Sequence, residues 1–147
     1  LLPTIRSRSQ RLDVQSVSLQ QSESLLDSMK VFDATKRTQL LFIAAGLPAA
    51  LTRLVQDDGV FAARAQLVRD ARMLVQGRRY EVLQVAQRYK EDRIAALTVI
   101  EDAMKLLRRS VSQGGDQSIH KIERLLEVYE RIRANGNIRL QLAASVV

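Results

Sequence analysis

Apolar side chains recur at intervals of three and four residues along most of the chain, which is the period of an amphipathic α-helix. The pattern is clearest in four successive stretches, which run from Phe61 to Val75, Val82 to Ala86, Ile94 to Val111 and Ile119 to Ile132. A last apolar segment follows residue 136. We therefore predict an all-α protein with almost no β-strand beyond its first twenty residues.

The glycines mark the predicted ends of these helices, because glycine is unfavourable inside a helix and common just after its end. They are Gly46, Gly59, Gly77, Gly114, Gly115 and Gly136. Residues 10–19 alternate between apolar and polar side chains and predict a short strand or an extended linker. Three short helices are then expected within residues 22–57, followed by longer and more regular ones.

Candidate helix starts are given by capping residues and by proline. We expect Ser22 and Asp33 to be N-caps, because a short polar side chain can accept a hydrogen bond from the first turn. Pro48 is expected in the first turn of the third helix, where a missing N–H is tolerated. Asp116 or Ser118 is expected to cap the helix that follows the paired glycines.

The composition excludes several classes of protein. The chain has 147 residues and no cysteine, so disulfides, thiolate metal sites and cysteine nucleophiles are excluded. The longest apolar run spans residues 40–47. A membrane-spanning helix needs roughly 20 residues, which is far more. The chain begins with Leu1 and shows no signal peptide, so we expect a cut N-terminal edge, a cytoplasmic protein and no membrane partner.

Side chains that could support catalysis are few. His120 is the only histidine, and we expect it to be an exposed helix residue rather than a metal ligand. The adjacent carboxylates at 91–92 and 101–102 point to different sides of a helix and are expected to be solvated. The chain contains no phosphate-binding Gly-Lys-Ser/Thr loop, so we expect it neither to bind nor to hydrolyse ATP, with no cofactor of its own.

The first residues carry the sharpest resemblance to a known family. Leu2-Pro3-Thr4-Ile5 followed by Ser7-Arg8-Ser9 is similar to the end of the ATPase core in bacterial DNA polymerase III clamp-loader subunits. That family has Ser-Arg-Cys here, so serine replaces the cysteine. The resemblance implies that Arg8 is an arginine finger that acts in trans on the nucleotide of the neighbouring subunit.

Three further patterns follow in the order found in that family. Residues 44–51, Ala-Ala-Gly-Leu-Pro-Ala-Ala-Leu, resemble the turn of its helical lid, but the nucleotide-sensing arginine of some members is missing. Residues 106–109, Leu-Leu-Arg-Arg, resemble its Leu-Leu-Arg-Asp collar helix. Asn137-Ile138-Arg139-Leu140-Gln141-Leu142 resembles the Asn-x-x-Leu-x-Leu signature of the last collar helices, where subunits pack together.

The resemblance implies a domain organisation and a function. Residues 1–17 would be the trailing edge of an ATPase core, 18–58 a three-helix AAA+ lid, and 59–147 a collar of about five helices. The chain would be the C-terminal oligomerisation part of a subunit of the delta-prime or gamma/tau kind. Its partners would be the other clamp-loader subunits and, through the full complex, the sliding clamp and primed DNA. ATP-Mg would be a cofactor of the assembled complex.

The end of the chain is the expected subunit interface. Residues 140–147 carry no charge, and such a segment seldom faces water in a monomer. Together with the collar signature, this pattern predicts interface roles for Asn137, Leu140, Leu142 and Val146.

A net charge of +7 leaves an alternative open, namely a basic all-helical module that binds nucleic acid or serves as a scaffold. With 4% aromatic residues and no tryptophan, the chain offers little for stacking on single strands. The arginines that could contact phosphates in this interpretation are Arg64, Arg69, Arg72, Arg78, Arg79, Arg88 and Arg93.

Overall fold

The computed structural model describes residues 15–111 and 117–145, and in these ranges the chain is all-helical. Its eight helices are α1 (Leu19–Ser28), α2 (Ala34–Ala44), α3 (Pro48–Gln56), α4 (Asp58–Gln76), α5 (Arg79–Arg88), α6 (Arg93–Val111), α7 (Gln117–Arg133) and α8 (Ile138–Ala144). No strand occurs in the described ranges. The predicted all-α class is therefore confirmed for this part of the chain.

The chain divides into two compact units, Leu1–Val60 and Phe61–Val147. In the first unit, α1, α2 and α3 pack on one another. The apolar side chains buried among them are Leu26, Leu40, Ala44, Leu51 and Leu54. Pro48 is the first residue of α3, as predicted, and Asp33 caps α2 by accepting a hydrogen bond from the Lys36 N–H at 2.7 Å.

The start of α1 differs from the prediction. Ser18, not Ser22, is the N-cap: its hydroxyl accepts from the Gln21 N–H at 3.2 Å, and the Gln21 side chain accepts from the Ser18 N–H at 2.9 Å. This reciprocal pair is a capping box. Ser22 is buried inside the helix, where its hydroxyl donates to the Ser18 carbonyl at 3.0 Å.

The turn between α2 and α3 requires glycine for two reasons. Gly46 has φ +79°, a left-handed conformation that disfavours other side chains. The second reason is the close approach of Val17, whose N–H donates to the Gly46 carbonyl at 2.8 Å. A Cβ at position 46 would lie 2.8 Å from the Val17 carbonyl oxygen, which is too close. Residues 15–18 are thus held against this turn, and they form neither strand nor helix.

In the second unit, α6 and α7 form an antiparallel hairpin. The Arg93 guanidinium at the start of α6 donates to the Ile132 carbonyl near the end of α7. At the other end, the Ser118 hydroxyl donates to Ser110 at 3.3 Å. Helix α8 packs against α5 and α7. The common core consists of Ala71, Val85, Ala86, Tyr89, Ala96, Val99, Ile100, Ala103, Met104, Leu107, Leu125, Val128, Ile132, Ile138 and Leu142.

A further predicted helix boundary, at Gly59, is wrong. Gly59 is the second residue of α4, and the break lies at Asp57, whose carboxylate accepts from the Val60 N–H at 3.0 Å. Ser118 lies within α7, which begins at Gln117, so it is not the cap. The other candidate cap, Asp116, and the paired glycines lie outside the described residues.

No described helix is both long and apolar enough to cross a membrane.

Candidate subunit interface

The four predicted interface residues have different environments. The Asn137 side chain caps α8 by accepting from the Leu140 N–H at 3.0 Å, and the residue is exposed. Leu140 is 65% exposed, whereas Leu142 is fully buried in the core of its own unit. Leu142 therefore offers no surface to another subunit in this conformation, which corrects its assignment to an interface. Val146 lies outside the described residues.

The helical period explains this division of the signature. Positions 138 and 142 are four residues apart, so both side chains face the core, while position 140 lies on the opposite side of the helix. The structure accordingly buries Ile138 and Leu142 and exposes Leu140. The Asn-x-x-Leu-x-Leu pattern thus contains a cap, an exposed leucine and a core leucine.

Leu140 lies beside a second exposed leucine. An open groove is lined by Leu140 and Ala143 of α8 and by Leu83 of α5, which is 44% exposed. Lys90, Glu91, Asn137 and Arg139 line the same groove. An apolar centre with a charged border is typical of protein–protein contact surfaces. We call this surface the α5–α8 groove.

A buried carboxylate, Asp70, links α4 to the end of α5. Its side chain is fully buried and accepts hydrogen bonds from Gln66 at 3.0 and 3.1 Å, from the Tyr89 hydroxyl at 2.6 Å, and from Arg88. Burial raises the pKa of Tyr89, and its hydrogen bond to the Asp70 carboxylate raises that pKa further. The hydrogen bond to Asp70 likewise raises the pKa of Arg88.

A second buried carboxylate corrects the prediction of a solvated pair at 101–102. The Asp102 side chain is 5% exposed and pairs with both terminal nitrogens of Arg64, one of them at 2.9 Å, while Lys105 lies 3.3 Å away. Its neighbour Glu101 is half-buried and accepts from the Tyr129 hydroxyl at 3.0 Å, which raises the pKa of Tyr129. Both acids therefore serve tertiary contacts.

The carboxylates at 91–92 are both exposed, as predicted. Glu91 is exposed and lies 3.3 Å from Lys90. Asp92 is exposed as well, but its carboxylate accepts a hydrogen bond from the Ala95 N–H at 2.9 Å at the start of α6. Asp92 therefore also has a local role in starting this helix.

Several arginines that could have contacted phosphates have acceptors within the chain. Arg64 and Arg88 pair with the two buried aspartates, and Arg93 donates to a backbone carbonyl. Arg69 donates to the Gln66 side chain at 2.5 Å. Sequence reasoning missed the two ion pairs because their partners lie 18 and 38 residues apart.

His120 and Arg8 are the remaining candidate residues. His120 is exposed, as predicted, and lies 3.4 Å from Glu123. Residues 15–111 and 117–145 contain no group of three His, Cys, Asp or Glu side chains that could hold a metal ion. Arg8 lies outside the described residues, so its role as an arginine finger stays a prediction.

Comparison of the chain with models of known protein families, with curated proteins and with solved structures gives no match. The clamp-loader resemblance therefore rests on the sequence patterns quoted above.

Proposed function

We propose that this chain is the C-terminal oligomerisation part of a bacterial DNA polymerase III clamp-loader subunit. It would assemble with the other loader subunits into the ring that places the sliding clamp on primed DNA. Support comes from the order of the four sequence patterns. The division into a three-helix unit and a larger helical unit is also compatible with the expected lid and collar. The observation that carries the proposal is the exposed Leu140 in the α5–α8 groove.

The build of α8 supports a binding role for this groove. Helix α8 has 7 residues, and so short a helix is unstable alone in water. It therefore depends on its Asn137 cap and on the burial of Ile138 and Leu142. These anchors hold Leu140 in a fixed position next to Leu83. An exposed leucine pair on a fixed surface can be buried by an apolar helix of a neighbouring subunit, because that contact removes apolar area from water.

The charged border of the groove would select the neighbour. Lys90 and Arg139 carry positive charge and Glu91 carries negative charge around the leucines. Rim charges contribute more to specificity and association rate than to affinity. A ring subunit needs such selection, because each subunit presents one surface to the neighbour on one side and a different surface to the other.

In this proposal the chain is not an enzyme by itself. ATP-Mg would be bound by the assembled complex, and Arg8 would supply a cation to the nucleotide of the neighbouring subunit. The alternative of a basic module that binds nucleic acid depends on arginines, and four of these already have acceptors in the second unit.

The test is the molar mass of the 147-residue chain by light scattering after size exclusion, alone and mixed with the other clamp-loader subunits of its source organism. We expect a defined hetero-oligomer with those subunits. Leu140→Asp should abolish it, because the charge would be buried without a partner. Phe32→Asp is the matched control, since Phe32 is 77% exposed in the first unit and should tolerate the change.

Circular dichroism of both variants would show that they keep their helices. A wild-type chain that stays monomeric in every mixture would refute the proposal. Equal loss of assembly in the two variants would refute the assignment of the α5–α8 groove. Binding of DNA by the monomer with a steep salt dependence would favour the basic-module alternative.

A further inference from the structure

A second concave surface lies within the larger unit, away from the residues used above. It is a pocket of about 310 Å³ between α4, α5, α6 and α7. Its apolar lining consists of Leu74, Val75, Val82, Leu107 and Leu125. Small-molecule sites typically occupy about 300–1,000 Å³, so this pocket has room for a small ligand only.

The mouth of the pocket is basic. His120, Lys121 and Arg124 line it, all from the first two turns of α7. The Lys121 ammonium donates to the Val75 carbonyl at 3.4 Å, close to the C-terminal end of α4. Arg124 makes no hydrogen bond or ion pair with any other residue in the described ranges. An arginine without an acceptor at the edge of an apolar pocket can receive an anionic group in two-pronged geometry.

Acidic groups near the mouth do not cancel this charge. No Asp or Glu of the described ranges lines the pocket. Glu123 lies beside His120 at 3.4 Å, and the Glu81 carboxylate accepts from the Arg78 N–H at 2.6 Å. The net charge of +7 adds a field that attracts anions to the whole chain.

We infer that this pocket binds a small amphiphilic anion, with an apolar tail among the leucines and valines and a phosphate, sulfonate or carboxylate head on Lys121 and Arg124. The tail would gain from leaving water, and the head would replace its hydration by charge-assisted hydrogen bonds. Neither part alone would be held well. This inference does not depend on the proposed function, since it uses neither Leu140 nor a partner subunit.

Isothermal titration calorimetry with hexyl phosphate, hexanol and inorganic phosphate tests the inference on the full chain. We expect saturable binding of one hexyl phosphate per chain, with an affinity about tenfold or more above those of the other two probes. Methyl resonances of Val82 and Leu125 should shift during the titration, because these side chains line the pocket.

Matched variants separate the pocket from general attraction of anions. Lys121→Gln with Arg124→Gln should weaken hexyl phosphate binding by about tenfold or more, because two charge-assisted contacts are lost. Arg131→Gln with Arg133→Gln removes the same charge from the same helix, from residues paired with Glu127 and Glu130, and should leave binding nearly unchanged.

Three results would overturn the inference. These are equal losses in the two double variants, equal binding of hexanol and hexyl phosphate, and binding to vesicles of anionic phospholipid without binding of soluble hexyl phosphate. The first would show unspecific charge attraction, the second a purely apolar cavity, and the third a membrane-surface contact.

Discussion

Replacing Tyr89 by phenylalanine tests whether the buried Asp70 is held by its hydrogen bonds. The change removes one oxygen and leaves the aromatic ring in the core, so it creates almost no cavity. Asp70 would lose the donor at 2.6 Å and keep Gln66 and Arg88. The perturbation is therefore confined to one hydrogen bond of a fully buried carboxylate.

The expected magnitude follows from that geometry. A hydrogen bond to a charged group contributes about 1.5–3 kcal/mol, and a buried acceptor that loses a partner cannot recruit water. We expect Tyr89→Phe to lower the free energy of unfolding by about 2 kcal/mol. With a urea dependence of about 1–3 kcal/mol per molar, the midpoint of unfolding should fall by roughly 1 M.

The assay is urea unfolding followed by the helical circular dichroism signal. Tyr80→Phe is a matched control on the same helix, because Tyr80 is 69% exposed. A change at such a surface position should alter stability by less than about 0.5 kcal/mol. If both variants shift the midpoint equally, the hydrogen bond from Tyr89 to Asp70 does not stabilise the fold and the reasoning fails.

Three further predictions use the same unfolding assay. Leu142→Ala should lower the free energy of unfolding by about 2–5 kcal/mol because Leu142 is fully buried. Leu140→Ala should change it little, and the reverse order of effects would show that Leu142 lies at the surface. Asp102→Leu should lower the free energy of unfolding by about 3 kcal/mol because it leaves the Arg64 charge unpaired. Adding Arg64→Met to this variant should recover much of the loss. If the double variant were less stable than Asp102→Leu alone, the result would argue against the ion pair. Folding raises the pKa of Tyr89, so its contribution is present below pH about 10 and is lost as the pH rises through the higher pKa of the folded state. The urea midpoint should therefore fall as the pH rises above about 10, and Tyr89→Phe should reduce that fall.

Much of the helical framework could be predicted from local sequence signals. The caps and breaks at Asp33, Pro48 and Gly136 act within one helical turn, so their effects are visible in a few adjacent letters. The correct start of α1 could also have been predicted from adjacent residues. Ser18 followed by Gln21 is the Ser-x-x-Gln spacing of a capping box, and it places the start of α1 one turn earlier.

The buried carboxylates could not be predicted in the same way. An aspartate in a helix looks the same in sequence whether it faces water or the core. Asp70 and Asp102 are buried because arginines distant in the sequence reach them in the folded state. Such pairings depend on how helices pack, and a single sequence carries no local trace of them.

The candidate interface could be predicted only in part. Treating residues 137–142 as one interface motif ignores that the helical period places their side chains on different faces of α8. Ile138 and Leu142 are four residues apart and therefore share a face, which separates them from Leu140. That spacing alone assigns Leu142 to the core, whereas the exposure of Leu83 beside Leu140 depends on the packing of α5 against α8.

The antiparallel hairpin of α6 and α7 has a consequence for the order of folding. Its two helices are neighbours in sequence, so little chain entropy is lost when they meet, and helical hairpins of this kind form quickly. The Arg64–Asp102 contact joins positions whose separation in sequence is 38. Docking of α4 therefore comes at a greater entropic cost, because it closes a longer loop. We expect substitutions of Ile100 and Leu125 in the hairpin to slow refolding, and substitutions of Asp102 to accelerate unfolding instead.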